Sequence, residues 1–396
     1  MNQQGNVKNL NLRGLRLLRR KRGHIKYLSS CIDSLDIGEN REIHNVLKET
    51  HLDLLLIGTS APLYSSVIAL IAYECQILTI YLTDMFIELP PPKNSINKDI
   101  NQNYADNNLR YLLFTIFNKD KIINSIAAIK KSFWMIILGF KDDIDIIKNF
   151  AIHREISLEL FDFSLPLPFK LLYLFLCPEE LDFPNSFREE CYYAEASIDL
   201  QREESFFDWS KLNKDKALIY CCLGTTGETF ETLGIKKVKK FFQTVIDAVS
   251  LKNKYQLVIS VSDYINVEDF HSIPENTIIV NRASQLALLE KASIAIINRG
   301  VRTMKECIYW GVLMIVFPIF FDQPENAERI EDHGLGVVGK IKNTSVSLIM
   351  DLAENIENDF LLKQRVEAWK NKFQEIENSV KAAKFILDIL EQNKRI

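Results

Sequence analysis

The chain has 396 residues, 47% of them hydrophobic, and sets 48 basic against 52 acidic side chains for a net charge of −4. That length exceeds one ordinary core and suits two domains, while a slightly acidic chain lacks the basic face that general nucleic-acid binding requires. Seven cysteines with no CxxC pair and no regular spacing to the histidines argue against a disulfide framework or a structural zinc site and fit a reducing cytoplasm.

In chain order, the first segment is polar and then basic, with no apolar run of the kind a secretory leader needs. Lys8 to Lys26 contains Arg13, Arg16, Arg19, Arg20, Lys21 and Arg22 and no acid. It reads either as a solvated helix face or as a patch for anionic lipid or an acidic partner, a peripheral membrane contact. Leu10, Leu12, Leu15, Leu17 and Leu18 suit a helix over Asn9–Gly23, ended by the glycine before a short strand, His24 to Leu28. Asp53 to Ile57, Ser60 to Tyr73 and Ile77 to Leu82 then read as strand, buried helix and strand, a βαβ unit. Pro90 to Asn108, rich in Asn, Pro and Lys, reads as a loop or surface insertion. Phe133 to Leu138 and Leu171 to Cys177 supply further strands, and the charged Gln201 to Asp215 reads as an interdomain linker.

The second half alternates more regularly. Ala217 to Leu223, Gln256 to Ser260, Thr277 to Val280, Ile294 to Ile297 and Met314 to Phe317 are short apolar runs separated by helical patterns. Right-handed crossovers make them one parallel, doubly wound sheet. The longest apolar runs, Leu171 to Cys177 and Val312 to Phe321, are too short to span a bilayer and read as buried parallel strands. Residues 345–396 read as amphipathic helix, with Trp369 and Phe373 on one side and no Gly or Pro to stop it.

Chemistry-bearing residues gather at the strand-to-helix turns, where an open α/β sheet binds its ligand. Ile294 to Ile297 runs into Asn298-Arg299-Gly300 and a helix from Val301, whose free N–H groups and positive dipole end suit a diphosphate. Glu306, one turn in, could accept hydrogen bonds from a ribose diol; equally, Thr303 to Glu306 spells a T-x-x-E capping box. Asp322-Gln323 opens the next helix and offers a sugar an acceptor and an amide, unless Asp322 and Glu325 form a second box. Gly224-Thr225-Thr226-Gly227 lacks the Lys-Ser/Thr of a P-loop and reads as a phosphate-approaching turn or an ordinary one. His44, His153, His271 and His333 have no metal-ligand spacing and are expected on loops or helix ends; His333-Gly334 reads as a helix C-terminus, where a cation is favourable.

The segment TIIVNRASQLALLEKASIAIINRGVRTMKECIYWGVLMIVFPIFFDQPENAERIEDHGLG, together with ALIYCCLGT, CPEELDFP and YYAEASIDLQREESFFDW, resembles the UDP-dependent glycosyltransferases, particularly the macrolide and carotenoid group. The resemblance implies an α/β fold of two Rossmann-like domains facing across a cleft. An acceptor-type domain over 1–205 lacks its first strand, a nucleotide-sugar domain covers 206–375, and a C-terminal helix over 376–396 returns to the first domain. It implies transfer of a hexose from a UDP-type donor to a hydroxyl of a small lipophilic acceptor, with inversion and with neither metal nor cofactor. By the same resemblance Gln285 lies near the donor base, Glu306 holds ribose, and Asp322 and Gln323 contact the donor sugar. Gly224 and Thr225 form the first turn, while Asn298, Arg299, Gly300, Arg302 and Thr303 surround the diphosphate.

Two departures accompany these matches. Asn298 replaces the family's diphosphate-contacting histidine, leaving an amide donor and the charge of Arg299. Gly5-Asn6-Val7 resembles the family's Gly-His-Val loop with Asn6 at the general-base position, and Gly58 falls where many members carry the aspartate that orients the base. An amide cannot take the acceptor's proton at neutral pH. Three readings stay open: an enzyme with another base, Asp84 or His51 being positional candidates; a non-catalytic member that binds a nucleotide sugar or a partner protein; or a shortened copy whose incomplete first domain favours oligomer formation through exposed apolar surface.

Overall fold

The computed structural model describes residues 42–59, 62–83, 144–162, 167–182, 190–224, 227–298, 300–319, 323–378 and 380–393. The expectations for Asn9–Gly23, His24 to Leu28, Pro90 to Asn108 and Phe133 to Leu138 lie outside the described residues. The chain divides into two compact units, residues 1–81 with 90–172, and residues 82–89 with 173–396.

In the first unit α1 (Glu42–Thr50) precedes β1 (Leu54–Gly58), α2 (Pro62–Glu74) and β2 (Leu78–Thr83), and the two strands are neighbours in one sheet. Helix α2 is apolar nearly all round, and Ala69, Leu70, Ile71 and Ala72 are wholly buried, as expected of a helix packed on several sides. It ends in a Schellman closure: Gln76 takes a left-handed φ of 57°, and the Ile77 N–H donates to the Ala72 carbonyl at 2.9 Å. A further helix, α3, covers residues 144–153 and buries Ile147, Phe150 and Ala151. Just beyond it, Arg154 pairs with Glu74 at the end of α2, 3.0 Å apart. His153 does end a helix, its Nδ1 lying 2.7 Å from the Asn149 carbonyl. His44 lies in the first turn of α1, and it is buried there.

In the second unit β3 (Leu172–Phe175) runs parallel to β4 (Cys191–Tyr193), and the Leu176 N–H just after β3 donates to the Thr83 carbonyl. The larger element is a six-stranded sheet of β5 (Ala217–Cys222), β6 (Tyr255–Ser260), β7 (Thr277–Val280), β8 (Ala292–Ile297), β9 (Leu313–Val316) and β10 (Gly336–Val338). Its order is β10-β9-β8-β5-β6-β7 and every pairing is parallel. Five of these strands were legible as apolar runs. The sixth, β10, is three residues long and begins on a glycine, so its sequence carries too little pattern to announce it. Strand succession moves outward from β5 through β6 to β7 and then resumes on the opposite side of β5 with β8. That reversal opens a crevice beyond the carboxyl ends of β5 and β8.

Helices α4 (Gly227–Leu233), α5 (Ile235–Ser250), α6 (Gln285–Leu289), α7 (Val301–Trp310) and α8 (Gln323–Asp332) connect the strands. The core lies between them and a sheet whose central residues, Ile294 to Ile297 and Leu257 to Ile259, are wholly buried. The C-terminal stretch is not one helix but three: α9 (Val346–Asn358), α10 (Phe360–Glu377) and α11 (Lys381–Asn393). Asp359 makes the first break without Gly or Pro, because its carboxylate accepts the Leu362 N–H at 2.9 Å and starts a new helix. Trp369 and Phe373 share one side of α10 as expected, their ring centroids 6.0 Å apart. In α11, Phe385 stacks on Tyr192 at 4.0 Å and the Ala382 N–H donates to Glu195.

Candidate functional site

The turns after β5 and β8 meet at the crevice. Gly224 closes the first with a φ of 78°, and a Cβ there would come within 3.2 Å of Asn298 Nδ2. Glycine therefore serves both the left-handed backbone and the close approach. Asn298 is buried and donates from Nδ2 to the Leu223 carbonyl at 2.9 Å. One amide proton expected to be available for an anion thus ties the two turns together.

Helix α7 begins at Val301 with Gly300 as its N-cap and ends on Gly311 in the left-handed region. Thr303 is therefore its third residue, not a cap, and the T-x-x-E capping box does not form. Instead, Glu306 is 1% exposed and its carboxylate is engaged by side chains from elsewhere in the unit. Gln285 donates from Nε2 to Glu306 Oε2 at 2.6 Å and to Thr303 Oγ1 at 3.3 Å. Gln285 Oε1 in turn accepts from the Tyr220 hydroxyl at 3.2 Å and the Cys222 thiol at 3.8 Å. Burial pushes the Cys222 thiol up to about 11 and the Tyr220 phenol well above its usual value, so both remain donors at neutral pH. The amide is fixed with its nitrogen toward the carboxylate.

Arg202, in the irregular segment after β4, bridges the same carboxylate, Nη1 to Oε1 and Nη2 to Oε2 at 3.3 Å. Its Nη2 also lies 3.2 Å from Glu204 Oε1. Burial pulls the Arg202 guanidinium down, but the bonds and charges of Glu306 and Glu204 outweigh that and raise it overall. Glu204 is anchored independently by the N–H groups of Leu286 and Ala287 at the start of α6. Lys305 occupies a core-facing position of α7 beside Val301, Met304 and Ile308, and its buried ammonium donates to the carbonyls of Leu176 and Ala196 at 2.8 and 2.9 Å.

Between these groups is a cavity of about 230 Å³ lined by Leu176, Ser197, Asp199, Arg202, Arg302 and Glu306, with Lys305 in its wall. Arg302 is exposed in the first turn of α7 and makes no hydrogen bond or ion pair among the described residues. The arrangement places two carboxylates, Asp199 and Glu306, and two guanidiniums around one space, with Arg302 coming from the first turn of α7. That set can accept from hydroxyls at one end and hold an anion at the other.

Gln323 is buried at the start of α8, its Oε1 accepting the Ile319 N–H at 2.7 Å, and no described contact joins it to Glu306. Asn6, Asp84, Thr225, Arg299 and Asp322 lie outside the described residues. His51 follows α1 with a φ of 47° and is exposed. His333 does follow the end of α8, but burial lowers its imidazole and Nε2 lies 3.2 Å from the Leu181 carbonyl. The neutral ring, not the cation expected there, is therefore favoured. Among the described residues no three His, Cys, Asp or Glu side chains are grouped to hold a metal ion, and no helix is long and apolar enough to cross a membrane.

Sequence reading did not single out Arg202, Glu204 or Lys305. Lys305 had a signal, a lysine at the i+4 position of an otherwise apolar helix stripe. Arg202 had none, since the residue it pairs with is 104 positions away.

Residues 268–368 match the family described as UDP-glucoronosyl and UDP-glucosyl transferase. The chain is 27% identical over 169 residues to NDP-glycosyltransferase YjiC of Bacillus subtilis (strain 168), covering 43% of this chain and 41% of the relative. It is 26% identical over 187 residues to zeaxanthin glucosyltransferase of Pantoea ananas, 45% of this chain and 40% of the relative. The chain thus spans less than half the length of each of these relatives. In fold it resembles the glycosyltransferase of kitacinnamycin, with a TM-score of 0.66 at 16% identity over 94% of this chain and 84% of that one. It also resembles glycosyltransferase VinC in complex with dTDP, with a TM-score of 0.62 at 13% identity over 97% and 86%. These structural likenesses concern fold, and they agree with the α/β class and two sheets found here. In sequence, the chain is similar to the UDP-dependent glycosyltransferases over residues 268–368, and in fold to solved glycosyltransferases over most of its length.

Proposed function

We propose that this chain binds a UDP-type sugar at the β5/β8 crevice and transfers its hexose, with inversion, to a hydroxyl of a small lipophilic acceptor. The observation that carries this reading is the buried Glu306 carboxylate, held by the Gln285 amide one turn into the helix that leaves β8. A carboxylate kept wholly out of water is costly unless it is paired and hydrogen-bonded. A sheet switch point is where such a group can recognise a diol. The names of the relatives support the donor class, and the α7 N-terminus with Arg302 supplies positive potential that offsets the charge of a leaving diphosphate.

Direct displacement at the sugar carbon requires a base for the acceptor hydroxyl. Asn6 stands at the position that the family resemblance assigns to that base, so proton removal falls to another carboxylate or imidazole, with Asp84 and His51 as the positional candidates. Calorimetric titration with UDP and UDP-glucose, followed by assay of donor hydrolysis in the same samples, tests the reading. Glu306→Ala is expected to weaken UDP binding by about tenfold or more, the scale of a charge-assisted hydrogen-bond pair. Unchanged affinity in a folded variant would remove Glu306 from the site, and binding without any turnover would leave a nucleotide-sugar binder in place of an enzyme.

A further inference from the structure

We propose that Arg202 is an exchangeable counter-ion that makes the site selective for phosphorylated nucleosides: a nucleoside diphosphate draws it off Glu306, and it joins Arg302 on the diphosphate. The proposal rests on the reading of the crevice as a nucleotide site and adds to it the group that discriminates among ligands.

Four observations carry it. Both oxygens of Glu306 are already engaged, Oε1 by Arg202 and Oε2 by Arg202 and Gln285. A diol that needs this carboxylate therefore competes with a bidentate guanidinium, a strong and directional partner. Arg202 is also the less constrained member of the pair, because it sits in a segment without regular secondary structure and is 25% exposed, whereas Glu306 is held in α7 and 1% exposed. The segment is pinned on both sides of it, by Glu377 on the Ile198 N–H and Lys305 on the Ala196 carbonyl before, and by Ser284 on the Ser205 carbonyl after. Motion is thereby confined to the few residues around Arg202. Finally, the guanidinium lines the same cavity as Arg302, and Glu204, bound to the α6 backbone, offers its charge a partner during the exchange.

The chemistry then reads the ligand's charge. A nucleoside without phosphate must break the Arg202–Glu306 pair and returns no anion to the guanidinium, so the pair opposes its binding. A nucleoside diphosphate replaces one anionic partner with another, and the cost of separation is offset. The exchange needs no proton transfer and no bond making; it is a swap of ion pairs.

Calorimetry with uridine and with UDP on the full chain, on Arg202→Met and on Arg302→Met provides the test. Arg202→Met is expected to tighten uridine binding about tenfold and to weaken UDP binding about tenfold, so that the preference for UDP falls about a hundredfold. Arg302→Met should weaken UDP alone. Arg202→Lys, which keeps a charge but cannot bridge the carboxylate bidentately, gives the same readout with smaller shifts should the methionine variant not fold. If Arg202→Met moves both affinities in the same direction, or moves neither, the exchange is wrong while the nucleotide site stands. If the unaltered chain binds neither uridine nor UDP, the reading of the site falls as well.

Discussion

A buried charge is informative because it must be explained, and at the scale of single residues the second unit holds two such cases with different meanings. Asp182 accepts from Arg329 Nη2 at 2.8 Å and from the Tyr193 hydroxyl at 2.8 Å, and both members of the ion pair are almost wholly buried. This pair ties the segment after β3 to α8, across 147 positions of sequence. Its role is structural, and Asp182→Ala, by stranding the Arg329 charge, is expected to cost about 3–5 kcal/mol in a urea titration without altering nucleotide affinity in the folded fraction. A loss below about 1 kcal/mol would show that solvent reaches Arg329. Glu306 differs in that it lines a cavity together with one of its partners, Arg202. It could be singled out from the sequence as a candidate because it falls at a fixed distance beyond a strand-to-turn motif. Arg202 could not, since no local pattern encodes a partner 104 residues away.

At the scale of elements, what the sequence discloses is periodicity, and what it hides is the contact that ends or joins a segment. The apolar runs of β5 to β9 are long enough to stand out, and the α7 stripe predicts which face meets the sheet. The break at Asp359 is hidden because an aspartate within a polar helix face looks solvated until it is seen capping Leu362. Strand β10 is hidden by its length, yet it is held by a close approach: a Cβ on Gly336 would lie 2.3 Å from the Met314 carbonyl oxygen and 2.9 Å from Met314 Cβ. Gly336 and Met314 are register partners, so the strand cannot yield without losing its pairing to β9. Gly336→Ala is expected to destabilise the protein by about 1–3 kcal/mol, the usual cost of overpacking, and to speed amide exchange in β10 before the rest of the sheet. Uniform exchange across β8, β9 and β10 in the variant would contradict a strain localised at this strand.

At the scale of the whole molecule, the second unit couples its last helices to the segment that carries Arg202, and a carboxyl group records the coupling as a pH dependence. Glu377 closes α10, accepts the Ile198 N–H at 2.9 Å through Oε1, and has no hydrogen-bond partner for Oε2 among the described residues. Burial raises its carboxyl above the ordinary glutamate value, and Glu195 adds to that, while the backbone bonds at Ile198 and Ser197 and the charge of Lys305 act in the other direction. A raised acid binds its proton more tightly in the folded chain than in the unfolded one. Its favourable contribution is therefore complete below the unfolded value, and it is lost as the pH climbs through the folded one. At neutral pH the carboxylate is held against its own desolvation, the penalty being screened in part because the group is not fully buried. Glu377→Gln imitates the protonated form and keeps an acceptor for Ile198, so it should raise the urea midpoint near about pH 8 and leave it unchanged near about pH 4. The difference between the two proteins should open across the interval between the ordinary and the raised carboxyl values. Urea titrations of both at several pH values measure it directly. Parallel curves would mean that Glu377 reaches solvent in both forms, and that the segment from Ile198 to Arg202 is positioned by Lys305 and the β4 strand without help from α10.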